Sequence, residues 1–202
     1  MFALYLTHPQ VRIDPDVPVP QWGLSSVGLD RTALVSTRDW VRNLGRIISS
    51  DEVKAVETAE ILAKAASIIP EQVESMHEND RSATGFLPPP AFEAAADWFF
   101  ANPHQSFHGW ERAIDAQSRI VSAVDAVLSA HDPTIPIAFI GHGGVGTLLK
   151  CHLSGQIISR STDQRPGGGN LFCFTLADRR ISCDWTAMED WQGDGPWMRE
   201  TV

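Results

Sequence analysis

Short, unbroken apolar runs alternate along this chain with longer stretches of helical periodicity. Residues 2–6 (Phe, Ala, Leu, Tyr, Leu) form the first run, and a run apolar at every position predicts a central strand covered on both faces. A loop carrying Pro9, Pro15, Pro18 and Pro20 follows, where neither helix nor central strand is favoured. From Ser26 to Leu44 the spacing of Leu34, Val41 and Leu44 predicts a helix, stopped by Gly45. Residues 46–48 predict a short strand. The next helix opens on Ser49 and Glu52 as a capping box, with Asp51 adding negative charge to its first turn. Ala55, Ala59, Leu62 and Ala66 form its apolar stripe.

A third strand is expected around residues 70–76, then a polar stretch ending in Pro88-Pro89-Pro90. Residues 92–100 read as a short helix, and Trp110 to Ala130 as a long one carrying Ile114, Val121, Val124 and Leu128. Residues 137–140 predict another strand. A helix from about Gly144 to Leu153 follows it, with Val145, Leu148, Leu149 and His152 on one side. Asn170 to Trp185 reads as a hairpin turning at Asp178-Arg179, entered through the flexible turn Gly167-Gly168-Gly169. Strands alternating with helices imply an α/β fold, a three-layer α/β/α sandwich with a mainly parallel sheet. No repeat or linker divides residues 1–202, so one domain is expected.

The formal net charge is -9 and the pI about 5.1, which disfavours nucleic acid or an anionic membrane as partner. A small phosphorylated ligand stays compatible, because a local cationic pocket acts at contact distance whereas the overall field is screened within roughly 10 Å. Cys151, Cys173 and Cys183 lack metal-type spacing and are expected as reduced core thiols, although Cys173 and Cys183 have the spacing to face each other across the hairpin. His104 and His108 are spaced like metal ligands, but they follow Asn-Pro and have no acidic partner; a loop or cap role is expected, and no metal or cofactor. The apolar stretch at the N-terminus is too short for a signal peptide, and no run approaches a membrane span, so a cytoplasmic location is expected. Oligomeric state is not legible.

His8 and His142 each stand just past a strand-like run. Ligands of open α/β sheets bind beyond the carboxyl ends of the strands, so the two imidazoles converge on one site. Lys54 lies one turn into the capped helix, and its side chain leans back toward the helix N-terminus, where free N–H groups already favour an anion. Read alone, Lys54 is also an ordinary solvated lysine. The segment Gly-His-Gly-Gly-Val-Gly around His142 fits the G-x-G-x-x-G dinucleotide pattern as well, but too little chain follows it for the second half of such a fold.

Taken in order, these segments resemble the histidine phosphatase superfamily, the phosphoglycerate mutase-like fold. Thr7-His8-Pro9 stands where that family has Arg-His-Gly, and Leu24-Ser25-Ser26-Val27-Gly28 where it has L-T-x-x-G. Ser49-Ser50 through Lys54 to Thr58-Ala59 matches its serine–arginine–Thr-Ala segment, with lysine for arginine. Met76-His77-Glu78 matches its acidic element, Gly141-His142-Gly143-Gly144 its second histidine motif, and Gly109 to Arg119 loosely its segment before the last long helix. The likeness spans roughly residues 1–155.

The resemblance implies a metal-free phosphatase acting on a small phosphomonoester. His8 would be the nucleophile, forming a phosphohistidine, and Glu78 would protonate the leaving oxygen and later activate water. His142 would share with Lys54 the neutralising of the transferring oxygens, and Thr7, Arg12 and Gly143 would complete the phosphate contacts. The family's two pocket arginines are absent from their usual places, and Pro9 removes an N–H. Arg12, Arg81 and Arg165 are the loop arginines able to replace them. Catalysis is accordingly expected to be weak. The alternatives are a catalytically impaired pseudoenzyme that binds a phosphorylated ligand or partner, and third a dinucleotide-binding protein.

Overall fold

The computed structural model describes residues 1–193. A six-stranded sheet runs in the order β3-β2-β4-β1-β5-β6, with β1 Phe2–Thr7, β2 Arg46–Ser49, β3 Glu71–Gln72, β4 Ile137–Gly141, β5 Asn170–Thr175 and β6 Ile181–Ala187. The pairings β3–β2, β2–β4 and β4–β1 are parallel; β1–β5 and β5–β6 are antiparallel. The helices are α1 Ser26–Ser36, α2 Asp39–Arg42, α3 Val53–Ala66, α4 Pro89–Ala101, α5 Ala113–Ser129 and α6 Gly143–Leu153.

Side chains alternate across a strand, which explains why β1 is apolar throughout. Ala3 and Tyr5 join Phe139, Phe172 and Phe174 under α4, α5 and α6. Leu4 and Leu6 join Ile47, Ile140 and Leu171 under α1, α2 and α3. The sheet is therefore covered on both faces, as the three-layer reading requires. Among the described residues no helix is long and apolar enough to cross a membrane.

Several expected elements shift. The helix read from Ser26 to Leu44 is two helices, because Arg38 is extended (φ -73, ψ 144) and restarts the chain as the N-cap of α2. The break resets the helical phase: Leu34 is exposed, while Thr32, Val35, Val41 and Leu44 face inward. The Ser49–Glu52 capping box does not form. Ser49 ends β2 with its buried hydroxyl unpartnered, and Glu52 is the N-cap of α3 without a side-chain cap bond. The sheet claims this segment instead, since Ser50 N donates to Ile140 O at 3.0 Å. The third strand shrinks to Glu71–Gln72, followed by a 3-10 turn at Glu74–Met76. In α6, Val145, Leu148 and Leu149 are buried, but His152 is exposed in the last turn, where a basic side chain suits the helix dipole.

Candidate active site

Three parallel strands end side by side. Thr7 registers with Gly141 and Ser49 with Ile140, so the residues that follow, His8, His142 and Ser50, emerge together. The His8 and His142 rings lie 5.3 Å apart between centroids, at 67°. His8 N donates to Gly141 O at 3.0 Å. The imidazole Nδ1 of His8 lies 2.8 Å from Pro9 O. A carbonyl only accepts, so Nδ1 carries the proton and Nε2 keeps its lone pair. Burial above all lowers the His8 pKa to about 4, with Lys54 and Arg81 adding to the effect and the Pro9 carbonyl and Glu52 opposing it.

His142 is 1% exposed, and Tyr5 fixes its backbone. The phenol accepts from His142 N at 3.0 Å and donates to His142 O at 3.2 Å. Gly141 and Gly146 make this possible, since a Cβ on either would collide with the Tyr5 side chain. A Cβ on Gly143 would likewise meet the Gln164 amide. Close packing thus accounts for the G-x-G-x-x-G spacing. Burial lowers the His142 pKa to about 3, against the pull of Glu52. Its Nε2 lies 2.6 Å from Ser50 Oγ and 3.5 Å from Glu52 Oε1.

Glu52, read from the sequence only as a capping residue, contacts His142, Lys54 and the backbone of Glu78. One carboxylate oxygen accepts from Glu78 N at 2.8 Å and the other pairs with Lys54 Nζ. Burial alone would raise its pKa, but His142, Lys54 and the Glu78 N–H outweigh it and hold the carboxyl near 2. Lys54 is buried rather than solvated, and it also donates to Val19 O at 2.8 Å. The Glu78 carboxylate accepts from Gly144 N and Val145 N, both at 3.0 Å, on the N-terminus of α6. Arg119 anchors the backbone behind it, donating to Ser75 O and His77 O at 2.9 Å while paired with Glu111.

The expected phosphate contacts divide. Gly143 opens α6, and no protein acceptor for its N–H is found among the described residues. Thr7 does not present a free hydroxyl: its Oγ1 donates to Gln164 at 2.7 Å and accepts from Asn170 N at 3.1 Å, because β5 runs alongside and brings Asn170 against it. Arg12 is exposed, with its backbone bridged to Gly23, and Arg165 is exposed as well. Neither lines the cleft of about 690 Å³ that opens beside Glu52 and Glu78. Arg81 does line it, half-buried, with its guanidinium carbon 4.8 Å above the Phe92 ring. Gly167–Gly169 is a fitted turn rather than a loose one: Gly169 N donates to His8 O at 3.0 Å, and a Cβ on Gly168 would strike that carbonyl.

His104 and His108 are exposed and lie between α4 and α5, not on one helix turn. Among the described residues no group of histidine, cysteine and carboxylate side chains is arranged to hold a metal.

Residues 11–184 match the histidine phosphatase superfamily (branch 1). No curated protein sequence matches the chain. Among solved structures, Bacillus stearothermophilus YhfR superposes with a TM-score of 0.75 at 17% identity, covering 93% of this chain and 99% of its own. A mycobacterial glucosyl-3-phosphoglycerate phosphatase complexed with VO3 superposes with a TM-score of 0.73 at 18% identity, covering 91% and 97%. At such identities the likeness is one of fold.

Proposed function

The chain belongs to the histidine phosphatase superfamily, branch 1, and from that premise we propose that it hydrolyses a small phosphomonoester through a phosphohistidine on His8. The matched span begins after His8, so the nucleophile is argued from geometry. The observation that carries the reading is the His8–Pro9 hydrogen bond, which leaves Nε2 unprotonated on a ring whose centroid lies 5.3 Å from that of His142.

In the first step the Nε2 lone pair attacks phosphorus in line, the P–O ester bond breaks, and the leaving oxygen takes the proton of the Glu78 carboxyl. In the second step the Glu78 carboxylate takes a proton from water, the hydroxide attacks phosphorus, and the P–N bond returns its electron pair to His8. The unclaimed Gly143 N–H stabilises the charge on the equatorial oxygens, while the next two amides of α6 are held by the Glu78 carboxylate. Assaying the purified protein against a panel of phosphomonoesters, with acid-quench trapping of a labelled phosphoenzyme, tests this. Turnover and label lost together in His8→Ala are the expected result; no turnover and no label in the unaltered protein would reject it.

A second reading has its own support. Lys54 is already answered by Glu52 and the Thr7 hydroxyl by Gln164 and Asn170, so the phosphate grip is weaker than the family pattern supplies. A protein that binds a phosphorylated ligand without hydrolysing it fits those pairings. Calorimetric binding of a phosphate ester with no product formed would select it.

A further inference from the structure

Binding a phosphoryl group calls for a cation that is not already neutralised, and the arginines and lysine near the cleft differ in this respect. Lys54 is paired with Glu52 and bonded to Val19 O. Arg119 is paired with Glu111 and Arg31 with Glu189. Arg12 and Arg165 lie exposed and off the cleft. Arg81 is the exception. It is half-buried, lines the cleft beside Glu52 and Glu78, and has no carboxylate partner among the described residues. Its charge also opposes protonation of both His8 and Lys54, which places it within electrostatic reach of the nucleophile.

The backbone around Arg81 is built to hold it there. Glu111 N donates to Asp80 O at 2.7 Å, and Asp80 N donates to Glu111 Oε2 at 3.1 Å, fastening the segment to the chain just before α5. Thr84 N and Gly85 N both donate to Arg81 O at 3.2 Å, closing a turn whose exit needs the positive φ (+63) of Gly85. Trp110 Nε1 donates to Thr84 Oγ1 at 2.8 Å and anchors the same turn. The Phe92 ring under the guanidinium limits its rotamers while leaving the N–H edges free. A fixed, unpaired guanidinium suits two oxygens of one phosphoryl group better than a lysine point charge.

We propose that Arg81, contributed by the loop before α4, is the arginine that grips the phosphoryl oxygens of the substrate, in place of the family arginines missing from positions 7 and 54. The assignment deepens the phosphatase reading and rests on it for the identity of the ligand. Inorganic phosphate is the probe, so that binding is measured apart from turnover. Arg81→Met keeps the apolar stem on Phe92 and removes the fork; Arg81→Lys keeps the charge alone.

Phosphate affinity and kcat/KM are expected to fall by about 100-fold in Arg81→Met and by about tenfold in Arg81→Lys. Added guanidinium should restore part of the loss in Arg81→Met, a rescue that a merely structural role would not give. Thermal unfolding run alongside identifies a folding defect, and Arg81→Lys carries the test if Arg81→Met does not fold. Unchanged phosphate affinity in both folded variants would overturn the assignment while leaving the phosphatase reading intact. Phosphate binding without turnover, lost on Arg81→Met, would sustain the assignment and reject the phosphatase reading. Neither binding nor turnover in the unaltered protein would overturn both.

Discussion

Glu52 and Lys54, two positions apart, form an ion pair whose side chains are only 7% and 5% exposed. Taking both charges out of water is costly, and their attraction offsets that cost only while both are present. Replacing one partner leaves the other buried and uncompensated. Glu52→Gln and Lys54→Met should each lower unfolding stability by roughly 3–5 kcal/mol. The double variant Glu52→Gln with Lys54→Met should lose far less than their sum, within about 1–2 kcal/mol of the unaltered protein. Urea unfolding of the three variants checks this. Additive losses would show that the pair does not act as a unit.

The histidines set a pH dependence whose sign follows from their lowered pKa values, about 4 for His8 and about 3 for His142, against 6.5 for an unperturbed histidine. Between pH 6.5 and about 4 the unfolded chain holds more protons than the folded one, so stability rises with pH across that window. The contribution is fully present above pH 6.5 and is lost as acid drives the pH down through about 4 and then about 3. Denaturant midpoints measured from pH 7 to pH 4 should fall steadily, and His142→Ala should flatten the slope. Phosphoenzyme formation should show its acid limb near pH 4 rather than near 6.5, because Nε2 stays unprotonated until then.

Gly168 is a tighter constraint than its place in a glycine run implies. Its φ is +62, and a Cβ there would strike the carbonyl oxygen of His8. Backbone cannot step aside as a flexible side chain can. Gly168→Ala is expected to cost about 1–3 kcal/mol in stability and to slow phosphoenzyme formation by displacing His8. Gly155 shares the positive φ (+63) but meets nothing within 4 Å, so Gly155→Ala supplies the control for strain alone. Equal effects of the two substitutions on rate would dismiss the contact with His8.

What the sequence made legible is what local pattern controls. The unbroken apolar runs of β1 and β4 announce central strands, and parallel pairing makes the residues after them neighbours, so His8 and His142 converge as expected. The terminal hairpin turns at Asp178-Arg179, with Arg179 at a φ of +58. What stayed hidden depends on partners distant in the chain. Thr7 is claimed by Asn170 and Gln164, and Ser50 by the sheet and by His142. Glu52 reads as a capping residue until the fold brings Glu78 N and His142 against it. The break at Arg38 depends on one extended residue in a sequence whose propensities permit a continuous helix.

Glu78 has a signature that separates proton transfer from positioning. Its carboxylate accepts three backbone N–H groups, from Asn79, Gly144 and Val145, each at 3.0 Å, so it both caps α6 and faces the site. Glu78→Gln keeps one acceptor oxygen, enough for Asn79 N and Val145 N, but sets an NH2 against Gly144 N–H while removing the transferable proton. Its stability should therefore fall by about 1–3 kcal/mol, the cost of one unsatisfied donor at the start of α6. Hydrolysis of an alkyl phosphate, whose leaving oxygen needs a proton, should fall by about 10²–10⁴. An aryl phosphate with an acidic phenol needs no such help in the first step, so its burst of phenol release should persist while steady turnover slows, because water still requires the base. Loss of the burst and of alkyl phosphate turnover to the same extent would assign Glu78 to holding α6 in place, and would leave the proton to another group.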